Sequence, residues 1–169
     1  MLNKAVLISI RSEWCNLIAN GVKTVEVRKT KPILKAPFKV YIYCSLPQSS
    51  GDIYLCGSVK PVQGNGKIIG EFICSEVAKI DKDSHDFIYK GSFGCVYKDY
   101  AENNLGLFSC INDKALLDYL NHRQGYAWII TDLKLYDSPQ SLNSFHQISD
   151  GCSMKRPPQS WCYVKEKAI

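Results

Sequence analysis

The chain has 169 residues, 46% of them hydrophobic and 22% charged, with a formal net charge of +5. That length buries roughly two-thirds of the surface the unfolded chain exposes, so disordered, collagen-like and staple-dependent classes are excluded. No apolar run approaches the roughly 18 residues of a membrane span, and Arg11 and Glu13 cut the run Ala5 to Ile10 short of a signal-peptide core, so neither export nor membrane insertion is expected.

In chain order, Leu7 to Arg11 reads as a first strand. Ser12 follows as the expected N-cap of a short helix with Trp14, Leu17 and Ile18 on one face, and Gly21 ends it. Thr24 to Lys29 alternates strictly, which places Thr24, Glu26 and Arg28 on one face of a strand and Val25 and Val27 on the other. Pro32 and Pro37 bracket a linker. Phe38 to Ser45 is a strand rich in aromatic and β-branched residues.

Gly64-Asn65-Gly66 marks a turn, and Lys67 to Val77 a long strand with Gly70 as a candidate bulge. Residues 80 to 112 are polar and rich in turn formers, and irregular structure with at most a short helix is expected there. Asp113 to Leu120 is a helix capped by Asn112 or Asp113, presenting Ala115, Leu116, Leu117 and Leu120. Tyr126 to Leu135 and Ser160 to Lys165 complete about six strands. The pattern is α+β without regular βα alternation, and a small mixed β-barrel with helices packed at its ends suits it in a single domain spanning 1–169.

The charge is concentrated. From Lys23 through Lys39 six basic residues meet one acidic residue, a surplus equal to that of the whole chain. A basic element in an otherwise balanced domain points to an anionic partner: RNA, DNA or a phosphorylated small molecule. Arg28 offers a planar fork to a phosphate or base edge, Lys23 a mobile point charge, and Glu26 a carboxylate able to orient Arg28. Lys29, Lys31, Lys35 and Lys39 would add a sequence-independent, salt-sensitive attraction. A salt-bridged Glu26–Arg28 pair on an exposed strand is the bland alternative. Trp14 is expected to pack in the core. Trp161, beside Lys155 and Arg156, is balanced between packing and stacking on a base.

The eight cysteines have no Cys-x-x-Cys spacing and no histidine at zinc-finger spacing, so reduced thiols in a cytoplasmic protein are expected, with Cys44 and Cys74 buried in strands. His85, His122 and His146 have no partner at metal-ligand spacing, and neither a metal site nor a cofactor is expected. Gly91 to Lys98 mimics the end of a kinase glycine-rich loop, but Tyr89 stands where the first glycine belongs and no catalytic-loop motif follows.

Together, Leu7-Ile8-Ser9-Ile10-Arg11, Trp14 in a helix, Gly21-x-Lys23-x-x-Glu26-x-Arg28, a strand ending Tyr43-Cys44-Ser45, and Ile69-Gly70-Glu71-Phe72 resemble an ASCH domain, a PUA-like β-barrel family named for homology to an activating-signal cointegrator. The resemblance covers roughly residues 5 to 80, with Tyr126 to Leu135 as a further strand. It implies a cleft between the first helix and the barrel that binds RNA or a nucleotide, with Arg11, Lys23, Glu26, Arg28, Lys29, Lys31, Ser45, Arg156 and Trp161 as candidate binding residues. Some relatives in the wider family are amidohydrolases acting on 4-acetylcytidine through a lysine, a threonine and a glutamate, and others are ribonucleases. Lys23 falls on that lysine, whereas Glu26 stands at the threonine position. Hydrolysis of a modified nucleoside or of RNA, with Lys23 and Glu26 catalytic and Arg28 and Tyr43 assisting, is therefore the alternative function, and a protein-interaction module the third.

Overall fold

The computed structural model describes residues 3–45, 52–53, 62–80 and 109–167. Its strands are β1 (Lys4–Arg11), β2 (Val25–Arg28), β3 (Phe38–Ser45), β4 (Asp52–Ile53), β5 (Val62–Gln63), β6 (Lys67–Ile80), β7 (Gly125–Ser141) and β8 (Trp161–Lys165). The described helices are α1 (Ser12–Ala19) and α2 (Asp113–Leu120), with a 3-10 turn at Leu142–Ser144. Six strands pair in the order β2-β7-β6-β3-β1-β8, and β4 pairs with β5. The sheet is mixed: β1 runs parallel to β3 and antiparallel to β8, while β2 and β7 are antiparallel. Among the described residues β2 and β8 are the edges, so the pairing makes a mixed α+β sheet and does not show the closure of the barrel expected from the sequence.

The chain divides into two compact units. The first comprises Met1–Gly21, Phe38–Ile73 and Asp132–Ile169. β1 and β3 are its centre, and their near-continuous burial is what a parallel pair covered on both faces requires. Ala5, Leu7, Tyr41, Tyr43, Ile68, Leu142, Phe145, Met154 and Val164 form its core, with Tyr41 and Phe145 edge to face at 4.9 Å. Tyr43 is thereby a core residue. Gly64 and Lys67 close the expected turn, the Lys67 amide donating to the Gly64 carbonyl, with Gly66 at φ +69. Gly70 is required for a different reason than a bulge: a Cβ there would run into the backbone of Lys134 and Leu135.

Helix α1 begins one residue earlier than its expected cap allows. Arg11 is the N-cap, with no side-chain capping bond, and Ser12 is the first helical residue. Its buried stripe is Ser12, Cys15 and Ile18, leaving Trp14 and Leu17 half-buried at the flank. Gly21, at φ +70, donates its amide to the Ile18 carbonyl and ends the helix as expected.

The second unit comprises Val22–Pro37 and Cys74–Thr131. Its core is Val25, Val27, Ala78, Ile80, Leu116, Leu120 and Ala127. Asn112 caps α2, its side chain accepting from the Ala115 amide, and Asn121 in the left-handed conformation closes it. Leu116 and Leu120 are buried, whereas Ala115 is exposed. Gly125, where β7 starts, has no room for a Cβ because Leu120 fills the space. The kinase-like run 91–98, His85, Cys56 and Cys95 lie outside the described residues.

Candidate functional site

Antiparallel pairing sets β2 against β7 in the register Val25–Ile129, Glu26–Trp128, Val27–Ala127 and Arg28–Tyr126. The expected alternation sends the valines into the core of the second unit. The polar face is covered as well: Glu26 is 7% and Arg28 8% exposed, and Lys23, just before the strand, is 1% exposed. The bland picture of an exposed ion pair fails on burial, and so does the picture of Lys23 as a mobile charge.

These three side chains form one linked cluster. Arg28 Nη2 lies 3.0 Å from Glu26 Oε1, and Lys23 Nζ lies 3.4 Å from Glu26 Oε2. Lys23 Nζ also donates to the Ser109 carbonyl at 2.5 Å. Two cations thus share one carboxylate where water has little access. Buried charge is costly unless paired and hydrogen-bonded, so each contact here holds the others in place. The Ser109 hydroxyl is buried beside them with no hydrogen-bond partner among the described residues. Nothing in the sequence points to Ser109, because it lies in a polar stretch without periodicity.

Beyond Arg28 the chain turns outward. Lys29, Lys31 and Lys35 are exposed. Lys29 Nζ sits 5.2 Å from the centre of the Tyr119 ring, and Lys31 Nζ 5.5 Å from that of Tyr126. Burial pushes the Tyr119 phenol above its usual range, the Arg28 charge opposing this and the Glu26 charge reinforcing it. Tyr119 therefore adjoins the cluster, although in the sequence it is one more residue among the helix leucines.

The other candidates belong to the first unit. Arg11 and Ser45 are register partners at the ends of β1 and β3; Arg11 is exposed, 3.9 Å from Glu13, and Ser45 Oγ donates to the Ile10 carbonyl. Arg156 is exposed, and Trp161 is half-buried on β8, edge to face with Tyr163 at 5.4 Å. Lys39 leaves the attracting group altogether: its ammonium lies 3.5 Å from Glu71 and 3.3 Å from Glu166. Tyr136 donates to the other Glu71 oxygen at 2.6 Å, so that carboxylate is a structural hub.

Six cysteines are free thiols among the described residues, and Cys44 and Cys74 are buried as expected. Burial pushes the Cys74 thiol up to about 12 and that of Cys162 to about 11. The described residues contain no group of three metal-ligating side chains, and no helix long and apolar enough to cross a membrane. His122 and His146 are exposed.

No protein-family model matches the sequence, and no curated protein matches it. Solved structures do. The ASCH protein of Zymomonas mobilis superposes with a TM-score of 0.60 at 17% identity, over 96% of this chain and 88% of that one. Two point mutants of the same protein match equally, at 17% and 16% identity, covering 89% and 91% of their chains. At that identity the likeness establishes the fold alone: this chain is folded like that ASCH protein.

Proposed function

We propose that the chain binds RNA or a nucleotide through the Lys23–Glu26–Arg28 cluster and the basic segment that follows it. The observation that carries this reading is a charge imbalance. Within residues 22–37 five cationic side chains accompany one carboxylate, and that carboxylate is already engaged by Lys23 and Arg28. Lys29, Lys31 and Lys35 form no ion pair among the described residues and stand exposed beside the buried cluster. Such a surface attracts a polyanion, and the ASCH-like fold agrees with the partner that the sequence resemblance implies.

In this reading the roles divide by depth. Glu26 fixes the Arg28 guanidinium, Lys23 is locked behind it, and the exposed lysines meet phosphates. The hydrolytic alternative has weaker support, because both oxygens of Glu26 are occupied by cations and the carboxylate is placed to hold Arg28, not to accept a proton. Fluorescence anisotropy with a labelled single-stranded RNA, repeated over rising salt, tests the proposal. Affinity at low salt that falls steeply with added salt is expected; no affinity at low salt overturns it. Capture of a protein partner that survives nuclease treatment would move the assignment to an interaction module.

A further inference from the structure

We infer that Cys15 and Cys44 are an oxidation site for peroxides, joined by a hydroperoxide into a disulfide that ties α1 to β3. Neither thiol takes part in the binding reading above, so the two stand or fall separately.

The parallel register of β1 and β3 places the pair. Ile8 stands beside Ile42 and Ile10 beside Cys44, and paired residues of neighbouring strands share a face. Ala5, Leu7, Tyr41 and Tyr43 fill the core on the opposite face, so Cys44 belongs to the face of Ile8 and Ile10. The buried stripe of α1 is Ser12, Cys15 and Ile18, and the Cys15 sulfur lies 3.5 Å from the carbonyl oxygen of Ile10, the register partner of Cys44. The Cys15 and Cys44 side chains are hydrogen-bonded to each other. Helix α1 thus sets one thiol against another across the first unit, to which all these residues belong.

Contact gives the two thiols unequal roles. With one proton to give, the Cys15 thiol donates to the Ile10 carbonyl or to the Cys44 sulfur, and the second arrangement stabilises a Cys44 thiolate. That hydrogen bond holds the Cys44 thiol below its usual range, against burial and the charge of Glu13. Burial instead keeps Cys74 and Cys162 protonated, at about 12 and about 11. The thiolate, not the thiol, attacks an oxidant. Both sulfurs of the pair are buried, so bulky electrophiles and the thiols of other proteins are kept away. Cys44 is nevertheless the penultimate residue of β3, next to half-buried Ser45, and hydrogen peroxide is hardly larger than water.

The Cys44 thiolate attacks one peroxide oxygen: an S–O bond forms, the O–O bond breaks, and hydroxide leaves with the proton that Cys44 released, as water. The product is a Cys44 sulfenic acid. The Cys15 sulfur then attacks the Cys44 sulfur, an S–S bond forms as the S–O bond breaks, and the departing hydroxide takes the Cys15 proton. Two thiols and one peroxide give one disulfide and two waters, the sulfurs losing the two electrons that the peroxide gains. The sulfurs close from hydrogen-bond contact to about 2 Å. The new bond encloses residues 15–44 in a covalent loop, and that stretch of chain carries Lys23, Glu26 and Arg28.

The test treats the full native chain with hydrogen peroxide, unfolds it in excess alkylating reagent, and maps the cysteines by mass spectrometry of a non-reduced digest. A peptide linking Cys15 to Cys44 is expected, lighter than the two free peptides by two hydrogens and reversed by dithiothreitol, with Cys74 and Cys162 still alkylated. In Cys15→Ser the Cys44 sulfenic acid has lost its partner and is expected to be trapped by dimedone. In Cys44→Ser, Cys15 is expected to stay a thiol. Thermal melting checks each variant, and should neither fold, the map of the native chain decides. Both cysteines still alkylated once exposed Cys152 has been oxidised, or a link from Cys44 to any other cysteine, overturns the site.

Discussion

The ammonium of Lys23 is bonded to the carbonyl oxygen of Ser109, 86 positions further along the chain. That bond, with the shared carboxylate of Glu26, makes a buried charge part of the scaffold of the second unit. Surface-charge reasoning does not apply to it, and substitutions here act on stability before they act on binding.

Charge arithmetic orders two such substitutions. Glu26→Gln removes the carboxylate that buried Lys23 and Arg28 share, and a loss of about 3–5 kcal/mol is expected. Lys23→Met leaves a neutral Glu26–Arg28 pair and one orphaned carbonyl, a loss of about 1–3 kcal/mol. Urea denaturation of both variants checks the order, and a larger loss for Lys23→Met would contradict the shared-carboxylate account.

The exposed lysines should behave oppositely. Changing Lys29 and Lys31 together to Gln is expected to shift stability by no more than about 0.5 kcal/mol each. The salt slope of single-stranded RNA affinity should become shallower by about 1.4, or about 0.7 for each phosphate no longer neutralised. Thermal melts and anisotropy at several salt concentrations separate the two effects.

Gly70→Ala is expected to destabilise the first unit by about 1–3 kcal/mol, because the new methyl meets backbone at Lys134 and Leu135, which cannot move aside as a side chain can. Gly21→Ala provides the contrast. Nothing lies near its Cβ position, and its cost, about 1 kcal/mol, comes from the positive φ alone. Denaturation midpoints of the pair distinguish crowding from backbone strain.

Alkaline pH should weaken the fold. The Cys74 thiol is held up to about 12 by burial, against an ordinary value of 9.0. Between those pH values the unfolded chain releases a proton that the folded chain retains, so stability is full below about 9 and is lost as pH climbs toward 12. Replacing Cys74 by Ala removes its share of that slope. Thiol alkylation near pH 8 should accordingly label exposed Cys152 well before Cys74, as mass spectrometry of timed samples would show.

Local pattern made most of the described elements legible. Alternation at Val25 to Arg28, the turn chemistry of Gly64 to Gly66, the left-handed Gly21 and the Asn112 cap are each decided by a few neighbouring residues, and each appears where expected. What stayed hidden depends on partners distant in sequence. Alternation shows that Glu26 and Arg28 share a face but not whether that face is covered. A count of basic residues treats Lys39 like Lys31, although Glu71 and Glu166 engage the former and an aromatic ring lies under the latter. Tyr43 reads as an available phenol until Tyr41, Phe145 and Val164 assemble the core around it.

The pairing of β8 with β1 joins Lys165 to Lys4 and Trp161 to Ile8. During synthesis, then, β1 emerges well before β8, and its free edge must wait for Trp161 and the residues after it before this neighbour arrives. Such remote closure is slow, and an unpaired strand edge invites pairing with other chains. A ribosome-bound or shortened chain that stops before Trp161 would carry that open edge of β1, which this short strand covers.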